Sequence, residues 1–276
     1  MRAAPPDTPK PPPLPGLVLR VATSDAELTA AAALRAQAFY VYPPDRAFAG
    51  RLHQELKTRE EFEALVAVRD AAAAATAAGG DPAASSARSA CLIAVAPLAA
   101  FGPPPAASSS SPAPDPTDPH YPHPALHLDA AASGLGGVPG AVVGTLDVAY
   151  ARARGAGGVP GEDLVGDVRS AAYMANVCAA PPARRRGVGA RLLAAARGAA
   201  VAWGADALYV HALAVNEVAA RFYGGAGFVV EKEEAPTSAK ARGHCLDGVE
   251  GLGRALLWRD GRLGEEGLEV EPVELL

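Results

Sequence analysis

The stretch YMANVCAAPPARRRGVGA, residues 173–190, contains two structural patterns with a turn between them. Residues up to Ala179 read as a strand, and Pro181-Pro182 turn the chain. Arg184-x-x-Gly187-x-Gly189 then opens a helix. Two glycines let the backbone come close to a ligand, and a helix start points free N–H groups and the positive end of the dipole outward. Such an arrangement is a cradle for a pyrophosphate. The plainer alternative is that Arg184 to Arg186 are solvated charges and the glycines only shape a turn. A dinucleotide fingerprint needs a third small residue where Leu192 stands, and the Gly-Lys-Ser/Thr ending of a P-loop is missing, so neither of those folds fits.

Working outward, Val188, Leu192, Leu193, Ala196, Ala200 and Trp203 draw one apolar stripe down a helix that Gly204 ends. Leu208 to Val215 reads as a buried strand, Asn216 to Gly225 as a short helix capped by Asn216, and Phe228 to Glu231 as a strand. Arg254 to Arg259 adds the last strand. Upstream, Leu17 to Val21 reads as a strand, and Thr23-Ser24-Asp25 offers caps to a helix that Pro43-Pro44 stops. Arg51 to Asp70 is a second helix, and Cys91 to Val95, Ala141 to Ala149 and Arg169 to Ala179 are strands. The fold class expected is α/β, a mixed and mostly antiparallel sheet with helices on both faces.

The chain has 276 residues, half of them apolar, 20% charged, with a net charge of -5, which describes an acidic globular protein. Residues 1–16 hold seven prolines and are expected to be disordered. Residues 17–276 form one domain with a disordered Pro/Ser/Ala/Gly insertion at about 97–140. An acidic balance without a basic face argues against nucleic acid as a partner. No segment reads as a membrane span, because Gly204, Asp206 and His211 interrupt the longest weakly charged run. Cys91, Cys178 and Cys245 suggest neither a disulfide framework nor a zinc site. His120, His123 and His127 have metal-like spacing in a Pro-rich loop and read as chance exposure, so no metal is expected.

A second segment, LYVHALAVNEVAARFYGGAGF at 208–228, follows the first at the distance one strand requires. The pair resembles the GNAT acetyltransferase superfamily, in which a central strand runs into Q/R-x-x-G-x-G/A and is followed by N-x-x-A-x-x-x-Y-x-x-x-G-F. Asn216, Ala219 or Ala220, Tyr223, Gly227 and Phe228 match the second pattern, although Gly224-Gly225-Ala226 replaces the usual helix formers. The lead-in of Tyr173, Asn176, Val177 and Cys178 is similar to plastid-type GNAT protein acetyltransferases of plants and algae. The resemblance covers about residues 141–260.

The resemblance implies a GNAT fold and an acetyl-CoA-dependent N-acetyltransferase. Its acceptor would be a protein or peptide amine, at the N-terminal α-amine, a lysine or both. A small-molecule amine acetyltransferase and a catalytically silent acyl-CoA sensor are the alternatives. Backbone groups of Val177, Cys178 and Ala179 would bond the pantetheine arm. Arg184, Arg185, Arg186, Gly187, Val188, Gly189 and Ala190 would hold the pyrophosphate. Asn216 would bond the pantetheine or order a water, and Tyr223 would face the sulfur. A monomer is expected, and charge and hydropathy argue against nucleic acid and membrane as partners. Its compartment would be the chloroplast, with the cytoplasm as alternative, since residues 1–16 show no readable transit peptide.

The chemistry suits these residue types. Tyrosine, near 10, is protonated at neutral pH and can donate to a departing thiolate whose own value is about 8.5. The competing role for Tyr223 is a packed aromatic. His211, Asp147 and Glu217 are candidate bases, each with a structural alternative, and none is assigned. Cys178, on a strand, reads as a small buried hydrophobe rather than a nucleophile.

Overall fold

The computed structural model describes residues 11–77, 87–104, 118–152, 170–234 and 255–273. In chain order the elements are β1 (Val18–Val21), α1 (Asp25–Phe39), α2 (Ala47–Ala77), β2 (Ala87–Pro97), β3 (His127–Leu128), β4 (Gly140–Arg152), β5 (Ser170–Ala179), α3 (Val188–Ala202), β6 (Ala207–Leu213), α4 (Glu217–Gly225), β7 (Phe228–Glu234) and β8 (Ala255–Asp260). The mixed α/β architecture expected from the pattern of elements is present.

One sheet runs in the order β1-β2-β4-β5-β6-β8-β7, with β3 pairing the end of β4. Every neighbouring pair is antiparallel except β5 with β6. That one parallel pair needs a crossover, and α3 supplies it.

Period-two alternation sorts the faces. A Cβ added at Gly144 would lie 2.5 Å from Val188 and 2.9 Å from Leu192, so α3 packs directly on this glycine. Tyr150, on the same face, meets Trp203 at the end of α3. The helix α4 shares this face, because Tyr223 packs on Phe228 and Trp258. Thr145 and Asp147 point the other way, toward α1, where Arg35 bonds both.

Local chemistry places α1. Ser24 caps it in a capping box with Glu27, whose carboxylate accepts from the N–H groups of Thr23 and Ser24 and from Arg20. Burial alone would raise the Glu27 carboxyl, but these donors outweigh it and hold the group below its ordinary range.

Three expectations are corrected. The second helix runs through the alanine tract to Ala77, since alanine is the strongest helix former. Pro11 to Gly16, expected as disordered, is placed, with Leu14 only 6% exposed. The described parts of the insertion, 97–104 and 118–140, are placed as well. Leu126 (1% exposed) and Leu128 (3%) enter the core, and β3 pairs Gly140 and Ala141. Asp129 accepts from the Ala131 and Ala132 N–H groups, and the Ser133 hydroxyl donates to the Val138 carbonyl. A few widely spaced leucines joined by side-chain-bonded turns suffice to anchor a stretch without periodicity. Residues 1–10 and 105–117 lie outside the described residues.

Candidate functional site

The site begins where β5 leaves its neighbour. The strand pairs with β6 from Ala171↔Ala207 to Met174↔Val210 and no further. Its pairing with β4 continues to Thr145↔Cys178 and Gly144↔Ala179. Between Ala175 and Cys178, two residues, Asn176 and Val177, face the single residue Leu146, which is a β-bulge. Asn176 takes a positive φ of 54° there. Cys178 and Ala179 are therefore held by β4 on one side, and Val177 to Ala179 have no β6 partner on the other, which leaves an edge that an extended ligand can join.

Beyond Ala179 a short 3-10 turn, Pro181–Ala183, leads to the helix start. Gly187 sits at the N-cap of α3 in the left-handed region (φ 88°), with no side chain to cap the helix and open space where a Cβ would stand. The first intrahelical bond runs from the Arg191 N–H to the Gly187 carbonyl. The N–H groups of Val188, Gly189 and Ala190 are thus free to meet an anion, with the dipole of a 15-residue helix behind them.

The three arginines are not equivalent. Arg184 and Arg185 are exposed, and Arg184 also donates to the Ala179 carbonyl. Arg186 donates to the Pro12 carbonyl and lies over the Phe101 ring, so part of its binding capacity is already engaged.

The start of α3 abuts α4, since a Cβ at Gly189 would lie 3.3 Å from the Phe222 ring. Asn216 caps α4, its side-chain oxygen accepting from the Ala219 N–H at 3.1 Å. That oxygen is committed to the helix. Tyr223 is 5% exposed, within a cluster of Phe222, Phe228 and Trp258. Burial, and then the neighbouring Cys178 thiol, push its hydroxyl above the ordinary 10. Tyr223 is thus a packed aromatic whose hydroxyl stays protonated.

The opposite face of the sheet carries a second pair. The Tyr173 hydroxyl and His211 Nδ1 lie 2.9 Å apart, joining β5 to β6 beside the point where they part. In the sequence His211 is a lone histidine in an apolar strand, and Tyr173 belongs to the lead-in of β5 with no sign of a histidine partner. Register alone could have pointed to them, because Tyr173↔Tyr209 pairing sets both residues on one face.

The other candidate bases are engaged elsewhere. Asp147 bonds Arg35 and Asn176, and exposed Glu217 pairs with Arg221 one turn on. Cys178 faces Thr145, and burial pushes its thiol up to about 12, which suits a small hydrophobe rather than a nucleophile. His123 is bonded by Gln37 and the Ala125 N–H, and His127 by the Pro122 carbonyl. Among the described residues no group of three His, Cys, Asp or Glu could hold a metal ion, and no helix is long and apolar enough to cross a membrane.

Comparison with known proteins finds partial likenesses. Over 71 residues the chain is 39% identical to GCN5-related N-acetyltransferase 7, chloroplastic, of Arabidopsis thaliana, a stretch covering 26% of this chain and 25% of the relative. The chain thus matches about a quarter of the length of that curated relative. Arabidopsis thaliana NAA60, solved in complex with a bisubstrate analogue, aligns with a TM-score of 0.44 at 13% identity, over 88% of this chain and 98% of that one. Salmonella typhimurium yncA, solved with its cofactor acetyl-CoA, aligns at 0.42 and 13% identity, over 93% and 99% of the two chains. The model of the Acetyltransferase (GNAT) family matches residues 108–228, the span that carries β3, β4, β5, α3, β6 and α4.

Proposed function

We propose that this protein transfers an acetyl group from acetyl-CoA to a primary amine, with a protein N-terminal α-amine or a lysine ε-amine as acceptor. The observation that carries this reading is the juxtaposition of an unpartnered β5 edge at Val177 to Ala179 with the uncapped start of α3 at Gly187. The first matches an amide-bearing arm and the second a pyrophosphate, in the order in which coenzyme A presents them. Exposed Arg184 and Arg185 add charge at the phosphate end, where Arg186 contributes less because Pro12 and Phe101 hold it.

Two groups able to handle protons flank the opening from opposite faces. Tyr173 and His211 lie on the α1 side, where an acceptor amine would enter and lose its proton. The Tyr223 hydroxyl, kept protonated by burial, lies on the α3 and α4 side, where the leaving sulfur would emerge. The amine nitrogen forms a bond to the thioester carbon and the C–S bond breaks. The amine's proton passes to His211 directly or through Tyr173 and water, and the thiolate takes a proton from Tyr223.

An α-amine near 8 is already partly neutral at physiological pH, while a lysine near 10.4 depends more on this base. The chloroplast is the compartment we infer, supported by the chloroplastic relative.

Calorimetric titration with acetyl-CoA, together with a thiol-release assay on mixed N-terminal and lysine peptides, tests the reading. Tyr223→Phe keeps the ring and removes the proton donor. It should bind acetyl-CoA as the unchanged protein does, while kcat falls roughly 10²-fold. Absence of acetyl-CoA binding by the unchanged protein would overturn the function. Full turnover in the variant would return Tyr223 to a packing role.

A further inference from the structure

Asp147 is held from both sides. Arg35 Nη2 donates to one carboxylate oxygen at 2.5 Å, and Asn176 Nδ2 donates to the other at 2.8 Å. Arg35, 2% exposed, also donates to Thr145 Oγ1 at 3.1 Å, Cys91 Sγ at 3.2 Å and Glu61 at 3.4 Å. Burial would lower its guanidinium, but Asp147 and its other neighbours outweigh that and hold it above its usual range. A buried charge this firmly paired makes a rigid anchor. The chain of contacts runs from α1 through β4 to the bulge in β5.

Asn176 is the residue that makes the bulge. A left-handed φ is disfavoured for a residue with a Cβ, asparagine less than most, and a bond from its side chain helps to hold it. Here the side-chain bond to Asp147 is such a contact. β5 loses β6 after Met174, two residues before Asn176, and regains β4 at Cys178 beyond the bulge, so the bulge adjoins the point where the sheet opens.

We propose that Arg35 and Asp147, acting through Asn176, are positioning residues that set the opening between β5 and β6 and so align the free edge of Val177 to Ala179. The proposal deepens the acetyl-CoA reading and rests on it for the ligand. It also gives Asp147 a role other than general base, since donors occupy both of its oxygens.

Two substitutions test it at the half-buried Asn176. Asn176→Gly accepts the positive φ without strain and removes the amide. Asn176→Asp sets a second carboxyl against Asp147, so one proton of the pair is held to a higher pH than an isolated carboxyl would hold it. Below that pH the protonated group can donate to Asp147 as the amide does, and above it the two charges repel. The groups facing this point are Arg35 from α1, Glu61 from α2, Cys91 from β2, Thr145 and Asp147 from β4, Cys178 on β5 and His211 from β6. All are present in the unchanged protein, which is the reference at each pH.

Relative to that reference, Asn176→Gly should bind acetyl-CoA about tenfold more weakly at both pH 5 and pH 7.5, the worth of one charge-assisted bond. Asn176→Asp should bind nearly as the reference at pH 5 and about tenfold more weakly at pH 7.5. In the ligand-free protein, the backbone amide resonances of 176–179 should move over the same pH range in Asn176→Asp only. Reference-like binding by Asn176→Gly, or pH-independent amides and binding in Asn176→Asp, would overturn the proposal. Should the unchanged protein bind no acetyl-CoA, the transfer reading fails, and the amide resonances still decide whether the carboxylate sets the bulge.

Discussion

Arg197 on α3 donates to both carboxylate oxygens of Asp260 on β8, at 2.6 and 3.0 Å, and to the Ala226 carbonyl at 2.7 Å. Ala226 closes α4 three residues after Tyr223, so a buried ion pair ties the end of the tyrosine's helix to α3. This clamp offsets the softness of Gly224-Gly225, each internal glycine costing about 1 kcal/mol of helix stability. Asp260→Ala, which leaves Arg197 charged and unpaired, should cost about 3–5 kcal/mol in denaturant unfolding. Gly225→Ala meets nothing within 4 Å and should stabilise by about 0.4–1 kcal/mol without changing turnover. A destabilised Gly225→Ala would show that the glycine serves a conformation other than this helix end.

At the start of α3, Gly187→Asp and Gly189→Asp introduce bulk and negative charge where an anion would bind. An acidic residue at a helix N-terminus is favourable to the helix, which offsets part of the strain that a side chain meets at the left-handed φ of Gly187 and against the Phe222 ring at Gly189, and circular dichroism checks that the double variant is folded. Its acetyl-CoA affinity should fall by at least tenfold, as expected for charge against charge at this site. Unchanged affinity in the folded double variant would remove the anion site from α3.

Cys91 and Cys178 are both pushed up to about 12 by burial, against an ordinary 9.0. Neither should react with iodoacetamide in the native protein at pH 8, as followed by peptide mass mapping, because the thiolate is the nucleophile. The sign for stability follows from the same shift. Both thiols stay protonated in the folded chain while the unfolded chain ionises, so stability is complete below pH 9 and falls between pH 9 and pH 12. Rapid labelling at pH 8 would contradict the placement of these strands.

The segment 118–140 should not tolerate removal, contrary to what its composition suggests. Leu126→Ala and Leu128→Ala each empty a buried position and should lower stability by about 2–5 kcal/mol, read from urea midpoints. Wild-type midpoints for both would return the whole segment to a dispensable insertion.

The residue pattern alone determined the helices and most of the strands. The uncapped helix start at Gly187 to Ala190 and the tyrosine helix at Asn216 to Tyr223 were also readable in it, because periodicity, caps and glycines act within a few residues of one another. What 118–140 becomes was hidden, since two leucines in a proline-rich stretch carry no period. The place of β8 between β6 and β7, the meeting of Tyr173 with His211, and the reach of Arg35 to Asp147, 112 residues away, were decided only by the tertiary structure. Each depends on strand register and on which face a side chain takes. A bulge of one residue changes both, as at Asn176, and its left-handed backbone is held by a partner that no local pattern names.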